Sequence, residues 1–215
     1  MTLEQGTVTF LYRPRVEETA PDDMHDVQRV FALLAPVGSA FERLIAIGRE
    51  RFSLAVHRRF WGFVDLVLAP YDMTAALGAH MYGTKTRGLR HLPAAVRVAE
   101  GIYEISAYGS HTHLQWWIDR RLDEATAIEI DLESTGDYIV TVANPDPSAW
   151  GLIECPDLQS QLFDELESHV TVPTPLPPQL QHRFHGRRFV PLTTDWLDQP
   201  GAEIIFTPVP STRSW

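Results

Sequence analysis

Hydrophobic and polar positions alternate in steps of two along much of this chain. In residues 7–13, Val8, Phe10 and Tyr12 share one side, which predicts a strand that Pro14 ends. The apolar run 30–34, closed by Pro36, predicts a buried strand. Residues 43–48 and 60–67 predict two more, each with a glycine that suits a bulge or a close backbone approach. Further strands are expected at 96–98, 138–142, 189–190 and 203–207. Helical spacing is rarer. It predicts a helix over 73–82 behind Asp72 and before Gly83, one over 157–168 with Leu158, Leu162, Phe163 and Leu166 on one face, and a short one over 179–185. Asp22 or Asp23 is placed to cap a helical turn over 26–29, and the prolines of 173–178 predict a linker. Strands outnumber helices and seldom alternate with them. The expected fold is α+β: a mainly antiparallel, strongly curved or barrel-like sheet with a few short helices, in a single globular domain over 1–215 whose tail frays from about residue 210.

The clearest local signal is a hairpin over 101–119. Gly109-Ser110 suits a type II′ turn, which needs positive φ at its first central residue. That turn makes Tyr108 oppose His111, Ser106 oppose His113 and Glu104 oppose Gln115. One face is then Tyr103, Ile105, Ala107, Thr112, Leu114, Trp116 and Ile118, a core face. The other carries Glu104, Ser106, Tyr108, His111, His113 and Gln115, with Trp117 beyond. His111 and His113 project from one side of a strand and Glu104 lies diagonally across, within reach of a long side chain. Two imidazoles and a carboxylate with open positions are a donor set for iron, zinc or manganese. The same face also fits the plain solvated side of an antiparallel hairpin.

Charge adds a second candidate. The 215 residues carry 28 acidic and 18 basic side chains, a net charge of −10, which argues against general nucleic-acid binding. The distribution is uneven. From Arg43 to Arg97 there are nine basic residues against three acidic, and from Asp119 to Glu167 thirteen acidic against two basic. The first segment contains the only lysine, Lys85, in Thr84-Lys85-Thr86-Arg87-Gly88, followed by Arg90. Lys85 and Arg87 beside a glycine turn can hold a phosphate or carboxylate, and a solvated basic loop explains them equally. Arg183, Arg187 and Arg188 form another basic cluster, which suits the end of a helix. The single cysteine, Cys155, excludes an internal disulfide and any CxxC zinc motif, and its acidic neighbours disfavour a reactive thiolate. No GxSxG elbow, GxGxxG loop or P-loop occurs. No apolar run reaches membrane-spanning length, and the first residues lack the basic and apolar regions of a signal peptide, so a cytoplasmic protein without membrane partners is expected.

Taken together, Phe10-Leu-Tyr-Arg-Pro14, Asp26-Val-Gln-Arg29, Thr84-Lys-Thr-Arg-Gly88, Gly109-Ser-His-Thr-His-Leu114, Asn144-Pro145 and His185-Gly-Arg-Arg-Phe-Val-Pro191 resemble a family of uncharacterised soluble proteins of bacteria and plants. The resemblance covers most of the chain and implies one full-length domain and no particular activity.

The leading functional expectation is a small anionic ligand. Lys85, Arg87 and Arg90 would clamp it, and the hairpin face with Tyr108 would form the facing wall. The alternatives are a metal-dependent enzyme with a divalent ion on His111, His113 and Glu104, and an interaction protein whose acidic 119–167 segment meets a basic partner.

Overall fold

The computed structural model describes residues 1–19, 21, 23–47, 59–84, 88–150 and 176–209. Among the described residues, eleven strands and three short α-helices run in the order β1 (Thr2–Pro14), β2 (Val27–Pro36), β3 (Glu42–Ile47), β4 (Phe60–Leu68), α1 (Pro70–Leu77), β5 (His80–Thr84), β6 (Gly88–Leu92), β7 (Val96–Tyr108), β8 (His111–Arg121), α2 (Glu124–Glu129), β9 (Thr135–Ala143), α3 (Pro178–His182), β10 (Phe189–Pro191) and β11 (Glu203–Pro208). Every strand pairing is antiparallel. Strands β9-β11-β4-β3-β2-β1-β7-β8 follow one another, and β8 pairs back onto β9, closing an eight-stranded barrel. β10 continues along β9 where β8 leaves it, and β5–β6 is a separate two-stranded ribbon.

Alternation explains the closure. Val8 and Phe10 of β1, Leu34 of β2, Ile45 of β3, Val64 of β4, Tyr103 and Ile105 of β7, Trp116 of β8, Val140 of β9 and Phe206 of β11 all point inward and are buried. Aromatic rings fill the centre. Trp116 stacks on Tyr138 at 4.8 Å, Phe60 on Phe206 at 4.6 Å, and Phe10 meets Trp116 edge-on at 5.3 Å. Gly136 makes room for this packing, because a Cβ there would lie 2.2 Å from the Trp116 ring. The void left between Val8, Phe10, Tyr103, Trp116 and Phe206 is about 20 Å³ and wholly apolar, so it takes one water at most and offers that water no partner.

At the mouth where β1 begins, the inward positions turn polar. Arg43 is bound by both carboxylate oxygens of Glu4 at 2.7 Å and by Asp198 at 2.8 Å, and the Tyr103 hydroxyl donates to Glu4 at 2.7 Å. At the other mouth Ala127 of α2, then Ile130 and Leu132, join the core. A second apolar layer lies outside the barrel, where Met73 of α1 covers Leu11, Phe31, Leu33, Leu44, Ala46 and Phe63. Arg13 pins this helix by donating to the carbonyls of Ala76 and Pro93, both at 3.0 Å.

The antiparallel, barrel-like expectation holds, with few and short helices. Two local expectations change. The helix expected over 73–82 is Pro70–Leu77, because Pro70 suits the first helical position and Asp72 sits in the first turn rather than capping it. Tyr82 and Gly83 instead pair with Arg90 and Leu89 in the ribbon. No helical turn forms over 26–29. The Asp23 side chain accepts the His25 N–H at 2.6 Å in a local turn, and β2 starts at Val27. The helix expected over 157–168 and the tail from 210 lie outside the described residues.

Candidate functional site

The β7–β8 hairpin has the register read from the sequence. Gly109 has φ +59°, and Tyr108, Ser106 and Glu104 face His111, His113 and Gln115. Since Tyr103, Ile105 and Trp116 fill the barrel, the opposite face of the hairpin forms the barrel's outer wall. The hairpin tip is tied to the start of β1, where the Met1 and Ala107 backbones exchange hydrogen bonds at 2.8 and 2.9 Å.

On that wall the expected metal triad is not assembled. Glu104 accepts hydrogen bonds from Ser106, from the Gln5 amide at 2.7 Å and from the Thr2 hydroxyl at 3.1 Å. The Ser106 bond first, then Gln5, holds its carboxyl below the ordinary glutamate range. The carboxylate that reaches a histidine is Asp137 of β9. Its Oδ1 lies 2.7 Å from His113 Nδ1, and its Oδ2 accepts from the Gln115 amide at 3.0 Å. His111 and His113 do come together, with ring centroids 5.2 Å apart, and Tyr108 lies edge-on to His113 at 4.8 Å. Among the described residues, no group of three or more His, Cys, Asp or Glu is placed to hold a metal ion. Asp137 went unnoticed in the sequence because the β8–β9 pairing that sets it opposite Gln115 spans 22 residues. The available signal was alternation: Tyr138 is a core residue, so Asp137 must face out.

Of the expected anion clamp only Arg90 is among the described residues. Lys85 and Arg87 lie outside the described residues. Arg90 pairs with Glu17 at 3.1 Å, and Glu17 also accepts the His91 N–H at 2.8 Å. This pair lies past the end of β1 at Pro14, whereas Tyr108 sits beside its start. The described part of the expected clamp therefore lies toward the far end of β1 from Tyr108.

A different concavity lies on the outer wall. It has a volume of about 580 Å³ and is lined by Thr7 and Thr9 of β1, Leu33 and Ala35 of β2, Glu42 of β3, Arg97, Glu100 and Ile102 of β7, and Asp119 and Arg120 of β8. A bulge shapes it. Glu100 faces Arg120 and Gly101 faces Ile118, so Asp119 has no partner on β7 and the side chains beside it are re-aimed. Gly101 permits the close approach, since a Cβ there would sit 2.0 Å from the Trp117 carbonyl oxygen. Arg97 donates to Glu100 at 2.9 Å, and Arg120 donates to the other oxygen of the same carboxylate. The Arg120 bond is the main reason the Glu100 carboxyl is held below its ordinary range. A one-residue slip of register leaves no mark on the hydrophobic pattern of 101–119, so this constellation was not legible there.

No family model, curated protein or solved structure matches the chain. Among the described residues no helix is long and apolar enough to cross a membrane.

Proposed function

We propose that this protein binds a small anionic ligand, not inside the barrel but in the groove on its outer wall, with Arg97 and Arg120 as the anion clamp. The observation that carries the reading is the contrast in space: about 20 Å³ of dry void inside, about 580 Å³ of groove outside. Two guanidinium groups on one carboxylate leave a surplus positive charge, and their side chains are 63% and 65% exposed, open to a ligand. A guanidinium has five N–H donors, and Glu100 takes one from each arginine. The remaining donors suit a carboxylate or phosphate, while Ile102 and Leu33 offer apolar contact for the body of the molecule. Glu42 and Asp119 on the rim oppose dense negative charge. That favours one carboxylate or phosphate group over a polyanion, in keeping with the net charge of −10. The single cysteine, Cys155, makes a cytoplasmic ligand the consistent choice.

The test is a titration of the full chain with inorganic phosphate, acetate, hexanoate and a sugar phosphate, followed by backbone amide NMR shifts. Hexanoate or the sugar phosphate binds, and Arg97→Ala or Arg120→Ala weakens it about tenfold, the loss expected for one charge-assisted hydrogen bond. The reading fails if nothing in the panel binds, or if both variants bind as the parent does.

A further inference from the structure

The hairpin tip carries chemistry that the groove does not use, and we infer that His111 and His113 form a site for one divalent first-row transition-metal ion. Their side of the wall carries different groups from the groove. It holds two imidazoles and the carboxylates of Asp137 and Glu104, with no arginine among the hydrogen-bond partners of either carboxylate.

Three features carry the inference. The first is orientation. Asp137 occupies Nδ1 of His113 at 2.7 Å, and Gln115 fixes the other oxygen of Asp137 at 3.0 Å, so Nε2 is the nitrogen His113 has left to donate to a metal. A carboxylate behind a ligating imidazole sets the ring's tautomer and raises its basicity. The second is spacing. With metal–nitrogen bonds of about 2.0–2.1 Å, each ring centre lies about 3.2 Å from the ion, and a tetrahedral angle then separates the two centres by about 5 Å. The observed separation is 5.2 Å. The third is the strand itself. Residues at i and i+2 share one face, and the pairings of β8 with β7 and β9 hold both rings on a rigid scaffold.

Two protein ligands leave the other positions to water or to an incoming anion, which makes this an exchangeable site rather than a closed structural one. Imidazole donors select zinc, copper or nickel over magnesium and calcium. The site differs from the expected His111–His113–Glu104 set in that a carboxylate supports the ions' ligand from behind and does not touch the metal. It is also independent of the groove, because none of its residues lines that cavity.

The experiment uses the metal-free, untagged full chain, titrated with Zn²⁺ and, separately, Mg²⁺ by calorimetry, with the imidazole signals followed by NMR. One equivalent of Zn²⁺ binds, the nitrogen signals of His111 and His113 move, and Mg²⁺ has no effect. His111→Ala, at an exposed position, and His113→Gln each weaken Zn²⁺ at least tenfold with the circular dichroism spectrum unchanged. Asp137→Asn weakens it by roughly 10- to 100-fold, as loss of a supporting carboxylate does. Should His113→Gln perturb the fold, His111→Ala alone decides. The proposal is overturned if Zn²⁺ gives no saturable signal, if folded His111→Ala binds it as the parent does, or if the responding imidazoles are other histidines.

Discussion

Glu100 and Glu104 stand four residues apart on β7, face the same outer wall, and are both held below the ordinary glutamate range, yet by opposite means. Glu100 is gripped by Arg97 and Arg120, two charges against one. Glu104 is held first by the neutral donors Ser106 and Gln5, then Thr2, with only a last and smallest pull from the Met1 ammonium. The Arg97–Glu100–Arg120 cluster is therefore left with one surplus positive charge, on a groove that Glu42 and Asp119 also line, while Glu104 keeps most of its negative one. The lesson is that a depressed carboxyl does not tell which ligand a surface attracts. The sign left over after the carboxylate is satisfied does. Glu4, on β1 at the barrel mouth, is a third case, in which Arg43 matches the charge in a nearly dry setting.

Breaking the buried case has the largest effect. Arg43 and Glu4 side chains are only 6% and 12% exposed, so Arg43→Ala leaves the Glu4 carboxylate with the neutral Tyr103 hydroxyl and no countercharge, and costs about 3–5 kcal/mol in a urea unfolding experiment. A loss below about 1 kcal/mol would show that water reaches Glu4 and that the contrast with the wall is false. Next comes Gly101→Ala. Its new Cβ must push against the Trp117 carbonyl, so stability falls by roughly 1–3 kcal/mol and groove binding falls with it, because the bulge that aims Arg120 is disturbed. Arg120→Ala separates the two properties. It removes an exposed ion pair worth under about 1 kcal/mol, so unfolding barely moves while anion affinity drops.

The smallest effect is in pH. Both Glu100 and Glu104 have lowered folded-state values, so each contributes stability above the ordinary glutamate range that is lost as pH falls through its own lowered value. In 1 M salt the loss on acidification shrinks for the charge-held Glu100 and persists for Glu104, a difference that side-chain carboxyl NMR titration resolves. Equal salt responses would remove the distinction between the two halves of the wall.

Local features of this fold and its barrel-like class were legible in the sequence, and the pairings that close the barrel were not. Gly109-Ser110 announced the turn, and the turn fixed the register from Glu104–Gln115 to Tyr108–His111, as well as the core face of Tyr103, Ile105 and Trp116. Both depend on neighbours in the chain. The barrel depends on β8 meeting β9 and β9 meeting β11, contacts between segments whose pairing no local pattern encodes. Closure in turn decided the site. It put the His111–His113 face outside, brought up Asp137, and set Arg90 and Tyr108 at opposite ends of β1. The Asp119 bulge was hidden for another reason: an extra residue in one strand changes where side chains point without changing their order. The short helix α2 was missed although its signal was present, with Asp123 capping it through the Thr126 N–H and hydroxyl.

The central claim is that the outer wall, and not the barrel interior, receives the ligand. Mapping backbone amide shifts of the full chain under hexanoate tests it most directly. The account predicts saturable shifts clustered at Thr9, Arg97, Glu100, Ile102 and Arg120, with Phe10, Trp116 and Tyr138 unmoved. Shifts centred on those three core residues would contradict it.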